Sequence, residues 1–115
     1  LRSVRPVLEA NQKEDRRHYR TLAGKGYTSA GVQSVVPAAA FGRAETLFVA
    51  LHERRPGLFD RQRSRATIAE HGNPDAEDLL ELAVVKTIEN GGQVYALERN
   101  QLPDEHASVA AILRH

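Results

Sequence analysis

The sequence predicts an α/β fold: an α/β/α sandwich built on a mixed sheet with a mainly parallel core. Three observations predict it. The apolar octet at residues 44–51 (AETLFVAL) reads as a strand buried on both faces. From Leu79 to Ile88 the apolar residues spread over more than half a helical circumference, and a short strand follows at residues 94–97. Strand, helix and strand in that order form a βαβ unit, which implies parallel pairing and a right-handed crossover. Helical spacing ahead of that unit supplies further helices for the faces of the sheet.

The elements follow in order. Residues 4–23 have the spacing of a long helix whose stripe is Val4, Leu8, Asn11, Asp15, Tyr19 and Leu22, apolar at its ends and polar midway. Pro6 is tolerated near the start, where its missing N–H has no partner to lose, and Gly24 and Gly26 provide the stop. Thr28 offers an N-cap for a second helix reaching Phe41 through Val32, Val35, Val36 and Ala39. Pro37 within it cannot donate to the Gln33 carbonyl, which predicts a kink or a weakened turn before Gly42 ends the helix. Residues 52–74 are the least regular. Gly57-Leu58-Phe59 and Ala66-Thr67-Ile68-Ala69 suit short strands around a turn at residues 60–64, giving a hairpin at the rim or a loop.

Asp75 is the expected N-cap of the third helix, with Glu77 and Asp78 near its positive end. Leu79, Leu80, Leu82, Ala83, Val84, Val85 and Ile88 predict a deeply packed helix, closed by Asn90-Gly91-Gly92. A Pro-containing turn at residues 100–105 leads to the last strand, residues 108–113 (SVAAIL), whose short link allows an antiparallel neighbour.

Composition limits the function. The 115 residues suit one domain, and 41% hydrophobic with 27% charged residues is a normal globular balance. The absence of Cys excludes a disulfide scaffold, a thiolate metal site and a Cys nucleophile. No apolar run approaches the ~20 residues that cross a bilayer, so no membrane partner is expected. The chain lacks Met and opens directly on a helical pattern, so it is read as a piece of a longer protein.

Charge is unevenly placed. Residues 1–71 hold 13 Lys+Arg against 7 Asp+Glu, and residues 72–115 hold 3 against 8. Arg54, Arg55, Arg61, Arg63 and Arg65 form a dense cluster, and Arg16, Arg17 and Arg20 a second group. Clustered arginines suit a phosphate backbone, but aromatic residues do not alternate with them as on a base-stacking platform, Phe59 alone standing in that stretch. A solvated surface is the ordinary alternative.

Three segments together resemble one family. They are Phe41-Gly42-Arg43-Ala44-Glu45-Thr46-Leu47-Phe48-Val49, then Glu77-Asp78-Leu79-Leu80 through Gly91-Gly92-Gln93-Val94-Tyr95-Ala96, and Val109-Ala110-Ala111-Ile112-Leu113-Arg114-His115. A Gly-Arg-x-x-Thr-Leu lead into a strand, a helix ending in Gly-Gly before a Val-Tyr strand, and an Ala-Ile-Leu-Arg end are similar to the bacterial branch of the archaeo-eukaryotic release-factor family. The likeness is to its third, C-terminal domain, whose relatives include the last domain of pelota and the kink-turn ribosomal proteins. It spans the chain from about Thr28 onward. The family often ends in Tyr where this chain has His115.

The resemblance implies a single third-domain-like module over residues 1–115, the C-terminal fragment of a longer cytoplasmic protein acting in release, ribosome rescue or hibernation. It also implies a strand ahead of the first helix. Such a module docks a translational GTPase or the ribosome while the remaining domains of the same protein do the chemistry. Arg43, Arg54 and Arg55 are the expected contact edge. The alternative is direct binding of structured RNA through Arg54, Arg55, Arg61, Arg63 and Arg65. The Gly-x-Asn-Glu stretch that the kink-turn relatives use is absent.

Gly91-Gly92-Gln93 spells the triplet with which release factors hydrolyse peptidyl-tRNA. That chemistry needs an exposed, mobile loop tip in the middle domain of the family. Here Val94 and Tyr95 follow at once, so the triplet is read as a helix-to-strand turn and the chain as no enzyme. His18, His52, His71, His106 and His115 have no metal-ligand spacing, and no phosphate-binding glycine loop occurs, so neither metal nor cofactor is expected.

Overall fold

The computed structural model describes residues 5–69, 73–104 and 106–114, with side chains from residue 13 onward. His71 and His115 lie outside the described residues, as would a strand ahead of residue 5. The elements are α1 (Arg5–Leu22), β1 (Thr28–Ala30), α2 (Val32–Ala40), β2 (Ala44–Ala50), β3 (Pro56–Asp60), β4 (Arg65–Ile68), β5 (Glu77–Asp78), α3 (Leu79–Glu89), β6 (Gln93–Leu97) and β7 (Val109–Leu113). A single 3-10 turn at Arg99–Gln101 precedes β7.

The main sheet has the order β1-β7-β2-β6. β2 and β6 pair in parallel, as expected of a βαβ unit, while β7 runs antiparallel to both β1 and β2. The sheet is therefore mixed, with its parallel part confined to β2 and β6. A bulge between Ala44 and Thr46 shifts the register with β7 and leaves Glu45 exposed. It also puts Ala44 and Leu47, three residues apart, on the same face.

Two cores lie on opposite faces of this sheet. On one, Leu47 and Val49 of β2 with Val109, Ala111 and Leu113 of β7 pack against α2 and α3. On the other, Phe48, Ala50, Tyr95, Leu97, Ala110 and Ile112 pack with Tyr19 of α1. The alternation along β2 and β7 explains why both strands are apolar at nearly every position. Phe48 is fully buried, its ring stacked on Tyr95 at 5.7 Å and meeting Tyr19 edge-on at 6.0 Å. Burial of such a ring contributes about 2–3 kcal/mol.

A second sheet, β4-β3-β5, lies outside the helical layer. β3 and β4 form the hairpin expected over residues 57–69, in the register Gly57↔Ile68 to Asp60↔Arg65. β4 packs on α2 and β3 on α3, so α2 is covered on two sides. Gly57 permits this approach. A Cβ there would stand 2.3 Å from Leu79 Cδ1 and 2.5 Å from the Thr67 carbonyl oxygen.

Three expectations are corrected. Thr28 does not cap the second helix; Thr28–Ala30 is a strand paired with β7, and Gly31 is the N-cap. Gly31 adopts φ 86°, a backbone turn open mainly to glycine, and its N–H donates to the Val109 carbonyl at 2.9 Å. The helix then continues through Pro37 to Ala40.

Asp75 likewise yields to Asp78 as N-cap of α3. Glu77 and Asp78 first pair with Pro56 and Gly57, and this strand postpones the helix. Asp75 is held in a turn by its own N–H, which donates to Asn73 Oδ1 at 2.9 Å.

The third correction concerns α3, which is not packed all round. Leu79, Leu80, Ala83 and Thr87 are buried, whereas Val85 is 41% and Ile88 60% exposed. The sheet and α2 take one side of the helix and β3 covers its beginning. Among the described residues nothing covers the outer side of its second half.

Candidate interaction surface

The glycine pair after α3 fixes the geometry of the Gly-Gly-Gln triplet. Asn90 caps the helix and Gly91 takes φ 83°, the left-handed conformation of a C-terminal turn. The Gly92 N–H donates to the Thr87 carbonyl at 2.8 Å. A Cβ on Gly92 would lie 2.7 Å from the Ala44 carbonyl oxygen and 2.7 Å from Thr87 Cγ2, so only glycine fits. Gln93 then enters β6 opposite Thr46 of β2. The triplet turns the chain into the sheet; it forms no projecting tip.

Tyr95, two residues on, anchors β6 to α1. Its hydroxyl donates to Asp15 Oδ2 at 2.8 Å and stands 3.1 Å from Gln93 Oε1. Burial raises the phenol pKa well above its ordinary value, and the hydrogen bond and charge of Asp15 raise it further. The polar middle of the α1 stripe is thus explained at Asp15: the carboxylate meets a buried phenol.

The structure divides the arginine cluster of the sequence into two groups. Arg54 and Arg55 precede β3 at the base of the hairpin, while Arg61, Arg63 and Arg65 surround the turn at its tip. The five residues of β3 separate the groups by roughly 17 Å.

The base group is tied down. The Arg55 N–H donates to Asp78 Oδ1 at 3.0 Å, and the Arg55 carbonyl accepts from Leu79 N–H at 2.9 Å. Its guanidinium donates to the Arg54 carbonyl at 3.0 Å and lies 3.7 Å from Glu53. Glu53 also accepts two hydrogen bonds from Arg99, at 2.9 and 2.6 Å. Those bonds hold the Glu53 carboxyl below the usual carboxylate range against a smaller desolvation effect, and the charges of Arg99 and Arg55 add to them. The positive charge at the base is partly balanced.

The tip is different. Arg61, Arg63 and Arg65 are all exposed, and Asp60 is the acid among them. Asp60 turns Oδ1 toward the N–H groups of Gln62 and Arg63, with the Arg63 side chain 3.8 Å from Oδ2. Arg43, three residues beyond the end of α2, is exposed as well, and its backbone is fixed by bonds to Ala38 and Arg114. A groove of about 450 Å³ runs between this point and the hairpin tip, lined by Thr28, Ser29, Ser34, Phe41, Arg43 and Ser64 among others.

Phe41 is 55% exposed and meets Phe59 of the hairpin edge-on at 6.5 Å. The sequence places one aromatic residue, Phe59, among the arginines of residues 54–65, and packing of the hairpin on α2 brings a second, Phe41, to the same groove as Ser64. The signal was Phe41-Gly42-Arg43 itself, an apolar ring beside a charge at a helix end.

Among the described residues no cluster of three or more His, Cys, Asp or Glu is placed to share a metal ion, and no helix is long and apolar enough to cross a membrane. No family model matches the sequence, and no curated protein matches it. Solved structures do. The C-terminal domain of a peptide chain release factor from Methanosarcina mazei superposes with a TM-score of 0.69 at 15% identity, over 99% of this chain and 87% of that one. Pelota from Archaeoglobus fulgidus superposes with a TM-score of 0.58 at 22% identity, over 96% of this chain and 31% of the Pelota chain. The mixed sheet and the helices packed on it thus make up the fold of the release-factor and Pelota C-terminal domain.

Proposed function

We propose that this chain is a non-catalytic interaction module of a translation-linked cytoplasmic protein, docking a translational GTPase or the ribosome while other domains of that protein do the chemistry. The observation that carries this reading is the glycine turn. With Gly92 wedged against Ala44 and Thr87 and Gln93 in register with Thr46, the triplet has no freedom to enter a reaction centre. The fold shared with a release-factor C-terminal domain supports the link to translation. The uncovered Val85 and Ile88 on α3 supply apolar anchors of the kind that dominate protein interfaces.

Calorimetric titration of the chain against a translational GTPase tests the reading. Binding should change little with salt, and Ile88→Asp should weaken it by roughly tenfold or more without loss of fold. Failure of Ile88→Asp to alter the affinity overturns docking through α3. Peptidyl-tRNA hydrolysis by the chain, abolished by Gln93→Ala, overturns the non-catalytic assignment.

A further inference from the structure

We propose that the groove between α2 and the tip of the β3–β4 hairpin binds single-stranded RNA. Phe41 stacks on a base, and Arg43, Arg63 and Arg65 contact phosphates. The proposal shares no residue with the α3 surface invoked for protein docking, and each is tested without the other.

Three independent features converge on this groove. The first is charge. Arg43 lines it, and Arg63 and Arg65 flank Ser64, which lines it from the other side. Among the described residues the side chains of Arg43 and Arg65 make no ion pair, and Arg63 has only the long contact to Asp60. A guanidinium group in the groove, with two more on the residues either side of Ser64, suits a polyanion better than a single carboxylate.

The second feature is the ring. Phe41 is more than half exposed at the end of a helix whose Val32, Val35, Val36, Ala38 and Ala39 are buried. One edge of the ring is steadied by Phe59, which leaves a fixed aromatic surface of the type on which unpaired bases stack. A base held in a duplex offers no such face, so the ring selects single strands.

The third feature is the set of hydroxyls. Thr28, Ser29, Ser34 and Ser64 all line the groove, and Ser29 and Ser34 are hydrogen-bonded to each other. Hydroxyls that both donate and accept match the ribose 2′-OH, the group by which RNA differs from DNA. Ser64 reaches the groove from a left-handed backbone conformation (φ 52°), uncommon for a residue with a side chain.

The test is fluorescence anisotropy of a labelled oligouridine of about ten nucleotides. Titrations of the whole chain at about 50 and 200 mM salt should show affinity falling roughly 20-fold, the slope expected of three phosphate contacts on a single strand. Phe41→Ala should lose roughly 5- to 150-fold in affinity. Should that variant melt early because Phe59 loses its neighbour, Phe41→Leu keeps the apolar contact without a stacking ring and should show the same loss. The triple variant Arg43→Gln, Arg63→Gln, Arg65→Gln should bind weakly and with a nearly flat salt dependence. Arg54→Gln with Arg55→Gln should bind within twofold of the parent.

Absence of saturable binding at low salt overturns the proposal. Equal affinity for an oligodeoxyuridine or for an RNA duplex of the same length overturns the assignment to single-stranded RNA. Polyglutamate binding as tightly as RNA overturns it as well, since charge alone would then suffice.

Discussion

Tyr95 ties β6 to the core and to α1 through one side chain. Its ring stacks on Phe48 in the core, and its hydroxyl holds Asp15 of α1 at 2.8 Å. Folding raises the phenol pKa above 10.0, so the folded state holds this proton more tightly than the unfolded chain. Stability from Tyr95 is therefore complete below that pH and declines as the solution becomes more alkaline and the folded phenol ionises. Tyr95→Phe keeps the ring but leaves Asp15 without its donor, a loss of about 1.5–3 kcal/mol for a hydrogen bond to a charged group. Urea denaturation at about pH 8 and about pH 11 should show the variant less stable at the lower pH and the difference shrinking at the higher one. Equal stability of variant and parent at the lower pH would show that water replaces the bond at no cost.

Asp78 fastens the hairpin to the helical layer. Its Oδ1 accepts from Leu80 N–H, capping α3, and from Arg55 N–H at the base of β3. Asp78→Ala should cost about 1–2 kcal/mol, the worth of an N-cap. Amide hydrogen exchange should speed up at Arg55 and Leu80 together; an increase at Leu80 alone would mean that the carboxylate serves only the helix.

Elements with strong periodicity were legible in the sequence, and those set by tertiary pairing were not. The apolar run at residues 44–51 announced β2, and Asn90-Gly91-Gly92 announced the end of α3 with its turn into β6. Thr28–Ala30 carries no apolar alternation; it is a strand because β7 lies beside it. Asp78 outranked Asp75 because Pro56 and Gly57 offered Glu77 and Asp78 a short ladder first. The candidate surface was half legible. Every arginine of it could be read, but their division between base and tip required the hairpin register, and Phe41 required the packing of β4 on α2.

The whole molecule is governed by long-range pairing. β7 occupies an inner position between β1 and β2 and supplies Val109, Ala110, Ala111 and Ile112 to the two cores. Partners such as Thr28 and Ile112 are far apart along the chain, a topology that slows folding relative to a helical bundle. A chain ending at residue 107 should show no cooperative thermal unfolding. A sigmoidal melt from that truncation would mean that β1, β2 and β6 hold together without the strand between them.

The position of β7 also bears on how the protein is born. Synthesis delivers Leu47, Phe48 and Val49 long before the segment that shields them, so an apolar strand waits half-covered while some sixty further residues emerge. During that interval the nascent polypeptide offers an unsatisfied ladder to any neighbouring chain. Production of this protein should thus be limited less by the strength of the finished fold than by protection of its unfinished one.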